Sequence, residues 1–128
     1  MEEIRNNAFF WQKIDTLIFS NDLYIHRPKG DHHPEYKNLV YPVDYGYLKE
    51  TQTSQESLFM FKGTSLGLGC NGVIVAADIL KKEVSVKFLV DCSEEEETSI
   101  LEFLNQTEYQ KAVLIHRTNV VPSWGMST

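Results

Sequence analysis

Tyr41-Pro42-Val43-Asp44-Tyr45-Gly46-Tyr47 constrains its own backbone more tightly than any other window of the chain. Pro42 fixes its φ and has no backbone donor. Gly46 permits a backbone angle, or a close approach, that a Cβ forbids. Tyr41, Tyr45 and Tyr47 have the same parity, so an extended chain presents all three rings on one face. Phenols so placed can hydrogen-bond an oxyanion. They also pack as core or rim, and packing is the commoner use of an aromatic stripe. The spacing predicts a strand over Val40–Lys49.

Upstream, His26-Arg27-Pro28-Lys29-Gly30-Asp31-His32-His33-Pro34 is the most basic stretch of an acidic chain. Its prolines and glycine predict a loop of fairly fixed shape. Arg27 offers a planar fork for phosphate or carboxylate, and Lys29 a point charge. His26, His32 and His33 also lie here, but no Cys or third ligand stands at zinc spacing, so no metal site is predicted from them. Further upstream, residues 2–20 read as a helix that buries Phe10, Ile14, Leu17 and Ile18, with Phe9 and Trp11 flanking. Its apolar face is expected to pack on its own domain, the alternative being a dimer contact. Ser20-Asn21-Asp22 stops it, and Leu23–His26 reads as a short strand.

Downstream, residues 50–57 read as a solvated loop and Leu58–Lys62 as a strand buried on both faces. The glycines between Gly63 and Gly72 match neither a P-loop nor a dinucleotide fingerprint, so they predict a turn. Val73–Leu80 and Val84–Val90 read as a hairpin. Val84, Val86, Phe88 and Val90 share one face of it; Ser85, Lys87 and Leu89 share the other. Asp78 is expected at the surface, because an unpaired buried carboxylate is costly. Ser93 to Glu96 forms a capping box opening a second helix with Ile100, Leu101, Phe103 and Leu104 on its buried face. The acids Glu94 to Glu97 thus have a structural cause at the positive end of the helix dipole. Ala112–Arg117 reads as the last strand.

The Tyr-Pro-x-x-Tyr-Gly-Tyr motif, with Arg27-Pro28-Lys29-Gly30 and His33-Pro34 before it, resembles the soluble metal-dependent inorganic pyrophosphatases, and within them a compact bacterial subgroup. The likeness spans most of residues 9–117 and is strong over 27–48. It implies an α+β fold: a small five-stranded OB-like β-barrel with an N-terminal helix and a helix in the C-terminal half. It implies a phosphate-facing set of Arg27, Lys29, Tyr41, Tyr45 and Lys87. The family's Asp-x-Asp-x-x-Asp, which holds Mg2+, is missing. Its places fall on Gln55, Ser57 and Met60, or by a one-residue shift the last falls on Phe59. A thioether or a phenyl ring does not ligate Mg2+. Glu35 stands where most of that subgroup carries a basic residue, and Thr107 and Glu108 where the enzymes carry a Tyr-Lys pair.

At 128 residues the chain is read as one domain, with the leading helix within 1–20 and a tail over 118–128. A net charge of −6 argues against a general nucleic-acid surface. No apolar run approaches the roughly 20 residues of a membrane span. The start, with Glu2 and Glu3, lacks the basic lead of a signal peptide. Cys70 and Cys92 match no metal spacing and read as free, partly buried thiols in a reducing cytoplasm, the alternative being one disulfide between them. The expectation is a pyrophosphatase-like protein that binds a phosphate-containing or other anionic small molecule, with no conventional pyrophosphate hydrolysis and no metal site. Two alternatives stand beside it. One is a non-catalytic, homo-oligomeric interaction protein. The other is a phosphoanhydride hydrolase whose Mg2+ is held by Asp44, Glu50 or Glu56.

Overall fold

Gly46 lies in a strand whose neighbour runs so close that a Cβ there would meet the backbone carbonyl of Tyr24. That close approach starts a sheet. In the computed structural model, which describes residues 6–49 and 58–119, the elements run in chain order as α1 (Ala8–Phe19), β1 (Leu23–Arg27), β2 (Asp44–Leu48), β3 (Phe59–Lys62), β4 (Cys70–Asp78), β5 (Glu83–Val90), α2 (Glu94–Leu104) and β6 (Gln110–His116). The sheet order is β1-β2-β3-β5-β4-β6. Every neighbouring pair is antiparallel except β3 and β5, which are parallel.

The sheet is open, and the expected five-stranded barrel is not formed. Among the described residues β1 and β6 are opposite edges that do not pair, and the strands number six. The physical reason is the burial pattern. A small barrel hides one face of its strands inside, whereas this sheet is apolar on both. On one face Tyr45, Phe61, Ile74 and Leu89 pack with Ile100, Phe103 and Leu104 of α2, and with Leu39, Tyr41 and Val43 of the loop before β2. On the other, Leu48, Met60, Val73, Phe88 and Val90 pack with Trp11 and Ile18 of α1. The result is an α+β fold with a cover on each side of the sheet.

The expected elements are present, with shifted details. The tyrosine strand is shorter than expected, and Tyr41 precedes it. The buried stripe of α1 is Trp11 and Ile18, with Ile14 partly covered, while Phe10 and Leu17 face outward. The stripe rotates because Trp11 brings the largest apolar surface and its indole Nε1–H is bonded by Asn6 Oδ1. α2 opens with the expected capping box: Ser93 Oγ accepts from Glu96 N at 3.2 Å, and Glu96 Oε1 from Ser93 N at 2.9 Å. The Glu96 carboxylate also takes the Thr64 amide and hydroxyl, which ties the 63–69 loop to the helix. Asp15 binds α1 to the sheet through Cys70 N at 3.0 Å and Arg117 Nη1 at 2.7 Å.

The edge at β6 is plugged by side chains. Asn105, at the C-cap of α2, accepts from Ala112 N at 2.9 Å and donates to Ala112 O at 3.3 Å, as a neighbouring strand would. Asn6 Nδ2 donates to His116 O further along. At the other edge, a register shift between Ile25 and Arg27 breaks the ladder. Replacing Asn105→Ala is expected to destabilise the fold by about 1–3 kcal/mol, the cost of stranding half-buried polar groups. It should also raise concentration-dependent association. Urea unfolding and light scattering check both, and an unchanged midpoint would remove the plug from the account.

Candidate functional site

The basic loop folds back over the sheet as a small hairpin of its own. Tyr41 N bonds Asp31 O at 2.9 Å, Gly30 N bonds Tyr41 O at 3.0 Å and His33 N bonds Leu39 O at 2.8 Å. Gly30, at φ 95°, makes the tight turn that permits this. The hairpin lays Tyr41 on Tyr45, ring centroids 5.5 Å apart, and Tyr45 in turn lies parallel to Phe59 at 5.7 Å. Tyr41 also meets Phe103 of α2 at 4.7 Å. The three tyrosines thus serve first as packing.

Where this aromatic wall stops short of β5, a cavity of about 240 Å³ remains. Of the five expected residues, Arg27, Tyr41, Tyr45 and Lys87 line it. Lys29 does not; its backbone amide instead bonds Asp44 Oδ1 at 2.8 Å, which holds the turn at the start of β2. Reading the sequence missed His26, His33, Lys81, Glu83, Ser85 and Gln110 as further lining residues. Glu83 and Ser85 were signalled by their parity with Lys87 on β5. Asp78 was expected at the surface but is buried, at 9% exposure, and lines the cavity. Its burial is affordable chemically because Oδ1 accepts from the amides of Leu80 and Lys81, each at 2.9 Å.

The charges are unequally satisfied. Lys81 and Glu35 pair at 3.4 Å on the exposed rim, an arrangement of little energetic weight. Arg27 and Lys87 have no carboxylate at ion-pair distance among the described residues. Lys87 Nζ lies 3.4 Å from Ser85 Oγ, 5.7 Å from the Tyr45 ring centroid and 6.0 Å from that of Phe59. The ring faces offer partial compensation for the buried ammonium. Burial pulls the Lys87 pKa below the ordinary lysine value; Glu83 opposes this and Lys81 adds to it. Burial also raises the phenol pKa of Tyr41 and Tyr45, so both remain hydrogen-bond donors at neutral pH.

The histidines shape the site without forming a metal set. His33 Nδ1 accepts from Glu35 N at 3.0 Å and Tyr36 N at 3.2 Å, which requires the neutral ring. His32 Nδ1 meets Lys37 O at 2.7 Å. His26 packs against Tyr45, Tyr47 and Phe59, and its buried Nδ1 has no hydrogen-bond partner among the described residues. Among the described residues no three His, Cys, Asp or Glu side chains come together as a metal site. Met60, one place where the resemblance puts a metal carboxylate, is fully buried on the α1 face of the sheet, away from the cavity. Phe59, the other, is a ring of the aromatic wall. Gln55, Ser57, Glu50 and Glu56 lie outside the described residues. The residues present therefore do not fit Mg2+ in the family's manner.

Cys70 and Cys92 are free and buried, and burial pushes each thiol up to about 12, so neither is a thiolate at neutral pH. Among the described residues, no helix is long and apolar enough to cross a membrane. No family model and no curated protein matches the chain.

Burial chiefly lowers the pKa of His33 and of His26, the nearby cations adding to it, from the ordinary 6.5. A depressed folded-state pKa means the unfolded chain binds the proton more readily. Stability from these rings is therefore complete above 6.5 and lost as the pH falls from there through the lowered folded values. Urea midpoints measured between about pH 7 and about pH 5 should fall with acidity, and His33→Gln should flatten the slope. A slope unchanged in that variant would show that the His33 ring does not carry the effect.

Proposed function

We propose that the chain binds a phosphate-containing or other anionic small molecule in this cavity, without conventional metal-dependent hydrolysis of pyrophosphate. The observation that carries the reading is that Arg27 and Lys87, which have no carboxylate at ion-pair distance among the described residues, line one cavity with the phenols of Tyr41 and Tyr45. A half-buried ammonium with no carboxylate in ion-pair contact, Glu83 acting on it only from a distance, is compensated further by an anion that brings its own charge. Arg27 supplies a fork for two oxygens and the phenols supply neutral donors. The volume suits a small molecule rather than a peptide or a nucleic-acid strand. The resemblance of the 27–48 stretch to the pyrophosphatases supports phosphate as the anion, and the misfit of Met60 and Phe59 supports the loss of the metal-dependent step. We place the chain in the cytoplasm, where Cys70 and Cys92 remain thiols.

Titration calorimetry with inorganic phosphate and with pyrophosphate tests this, with and without Mg2+. Saturable binding is expected, weakened about tenfold to a hundredfold by Arg27→Ala, the worth of a charge-assisted hydrogen bond. Binding should also weaken at alkaline pH as Lys87 loses its proton. Silence towards both anions would end the reading. Phosphate release from pyrophosphate that requires Mg2+ would overturn its non-hydrolytic half.

A second reading, self-association, is favoured by one observation. Beyond the reach of α1, the second face of the sheet leaves Val84 at 69% and Val113 at 62% exposure, with Val86 and Ile115 beside them. Such a patch suits a second copy of the chain. On this reading the protein sediments as a dimer and Val113→Asp as a monomer; a monomeric parent chain would discard it.

A further inference from the structure

The cavity holds a nucleophile that anion binding alone does not use. The two thiols are buried and are not among the cavity's lining residues. Lys62 is tied to Asp91 at 3.0 Å. The other lysines are exposed, apart from Lys87. Its amine is half-buried, unpaired with any described carboxylate, set against aromatic rings and open to a cavity with room for a second reactant. An amine desolvated in this way, near a second cation, is the arrangement that makes lysine a carbonyl nucleophile.

We propose that Lys87 is a covalent site for small aldehydes that carry an anionic group, its Nζ forming an imine with the aldehyde carbon while Arg27 holds the anion. The role of Arg27 rests on the anion-binding reading; the bond-forming role of Lys87 goes beyond it. The neutral amine adds to the carbonyl carbon. A C–N bond forms, the carbonyl π pair moves to oxygen, and the oxygen gains the proton that nitrogen loses. The hydroxyl then leaves with the second nitrogen proton as water, and C=N remains. Amine and aldehyde enter, imine and water result, and nothing is oxidised or reduced. The titratable groups that share the cavity with Lys87 are Glu83, Lys81, Asp78, Glu35, Tyr36, Tyr45, Tyr41, His26, His33 and Arg27. The lowered pKa of Lys87 raises the share of free amine at neutral pH.

The test uses the full chain with glycolaldehyde phosphate, reduction by cyanoborohydride, and peptide mapping by mass spectrometry. The expected result is one adduct per chain, on Lys87, formed about tenfold faster than at any exposed lysine. Inorganic phosphate should slow it, glycolaldehyde without the phosphate should react more slowly, and Lys87→Arg should abolish it while circular dichroism stays unchanged. Adducts spread evenly over the exposed lysines would overturn the inference. So would a Lys87→Arg chain that folds and is labelled as before. If calorimetry detects phosphate binding but Lys87 is not selectively labelled, the inference fails and the anion reading survives. If neither is seen, both fall.

Discussion

Met60 and Phe61 are consecutive residues of a strand, and both are sealed from water, at 0% and 1% exposure. Adjacent strand residues point to opposite faces, so this one dipeptide requires a cover on each side of the sheet. Much of the architecture follows from that requirement. The parallel pairing of β3 with β5 sets Met60 beside Phe88 and Phe61 beside Leu89, which extends the two-sided burial to a second strand. α1 serves one face and α2 the other. A sheet covered in this way has no cause to curl into a barrel, and it must deal with its two edges locally. Asn105 and a register shift do so.

The same constraint places the cavity. Two unlike pieces cover the face opposite α1, the helix α2 and the aromatic hairpin of residues 28–43. They meet through Tyr41 and Phe103 but do not close over the far end of β5. Lys87 lies under that gap. Its stem occupies a position that Leu89 fills two residues on, and its ammonium is left with ring faces and a serine hydroxyl. The cavity wall includes carboxylates too, but Asp78 is engaged by turn amides and Glu35 by Lys81. Glu83 lines the cavity as well, with no ion-pair partner among the described residues, so the wall presents both signs of charge.

Local signals in the chain specify several of its elements. The capping box at Ser93, the hairpin around Lys81 and Lys82, the stop after Phe19 and the two-sided character of residues 58–62 all follow from short-range chemistry, and all are present. Of the five residues expected to face one ligand, four line the cavity: Tyr45 and Lys87 lie on regular strands, and Arg27 and Tyr41 flank a loop with little freedom. Lys29 does not line it; its backbone amide is bonded to Asp44 in the turn. Asp78 was misjudged for a related reason. Its burial depends on amides two and three residues ahead that bond it only once the turn has formed.

The sequence by itself determined the periodic elements and the capping box of α2, because each depends on neighbours within a few positions. It did not determine the strand order, the open edges or the absence of a barrel. A motif of seven residues describes one strand and its approach to the next, and the same strand fits a closed sheet or an open one. Closure depends on what covers the second face, and α1 lies far from β4 and β5 in the chain. Only the tertiary structure decided that, and with it which cations were left without partners. Pairing across a sheet is a long-range property that no local spacing carries.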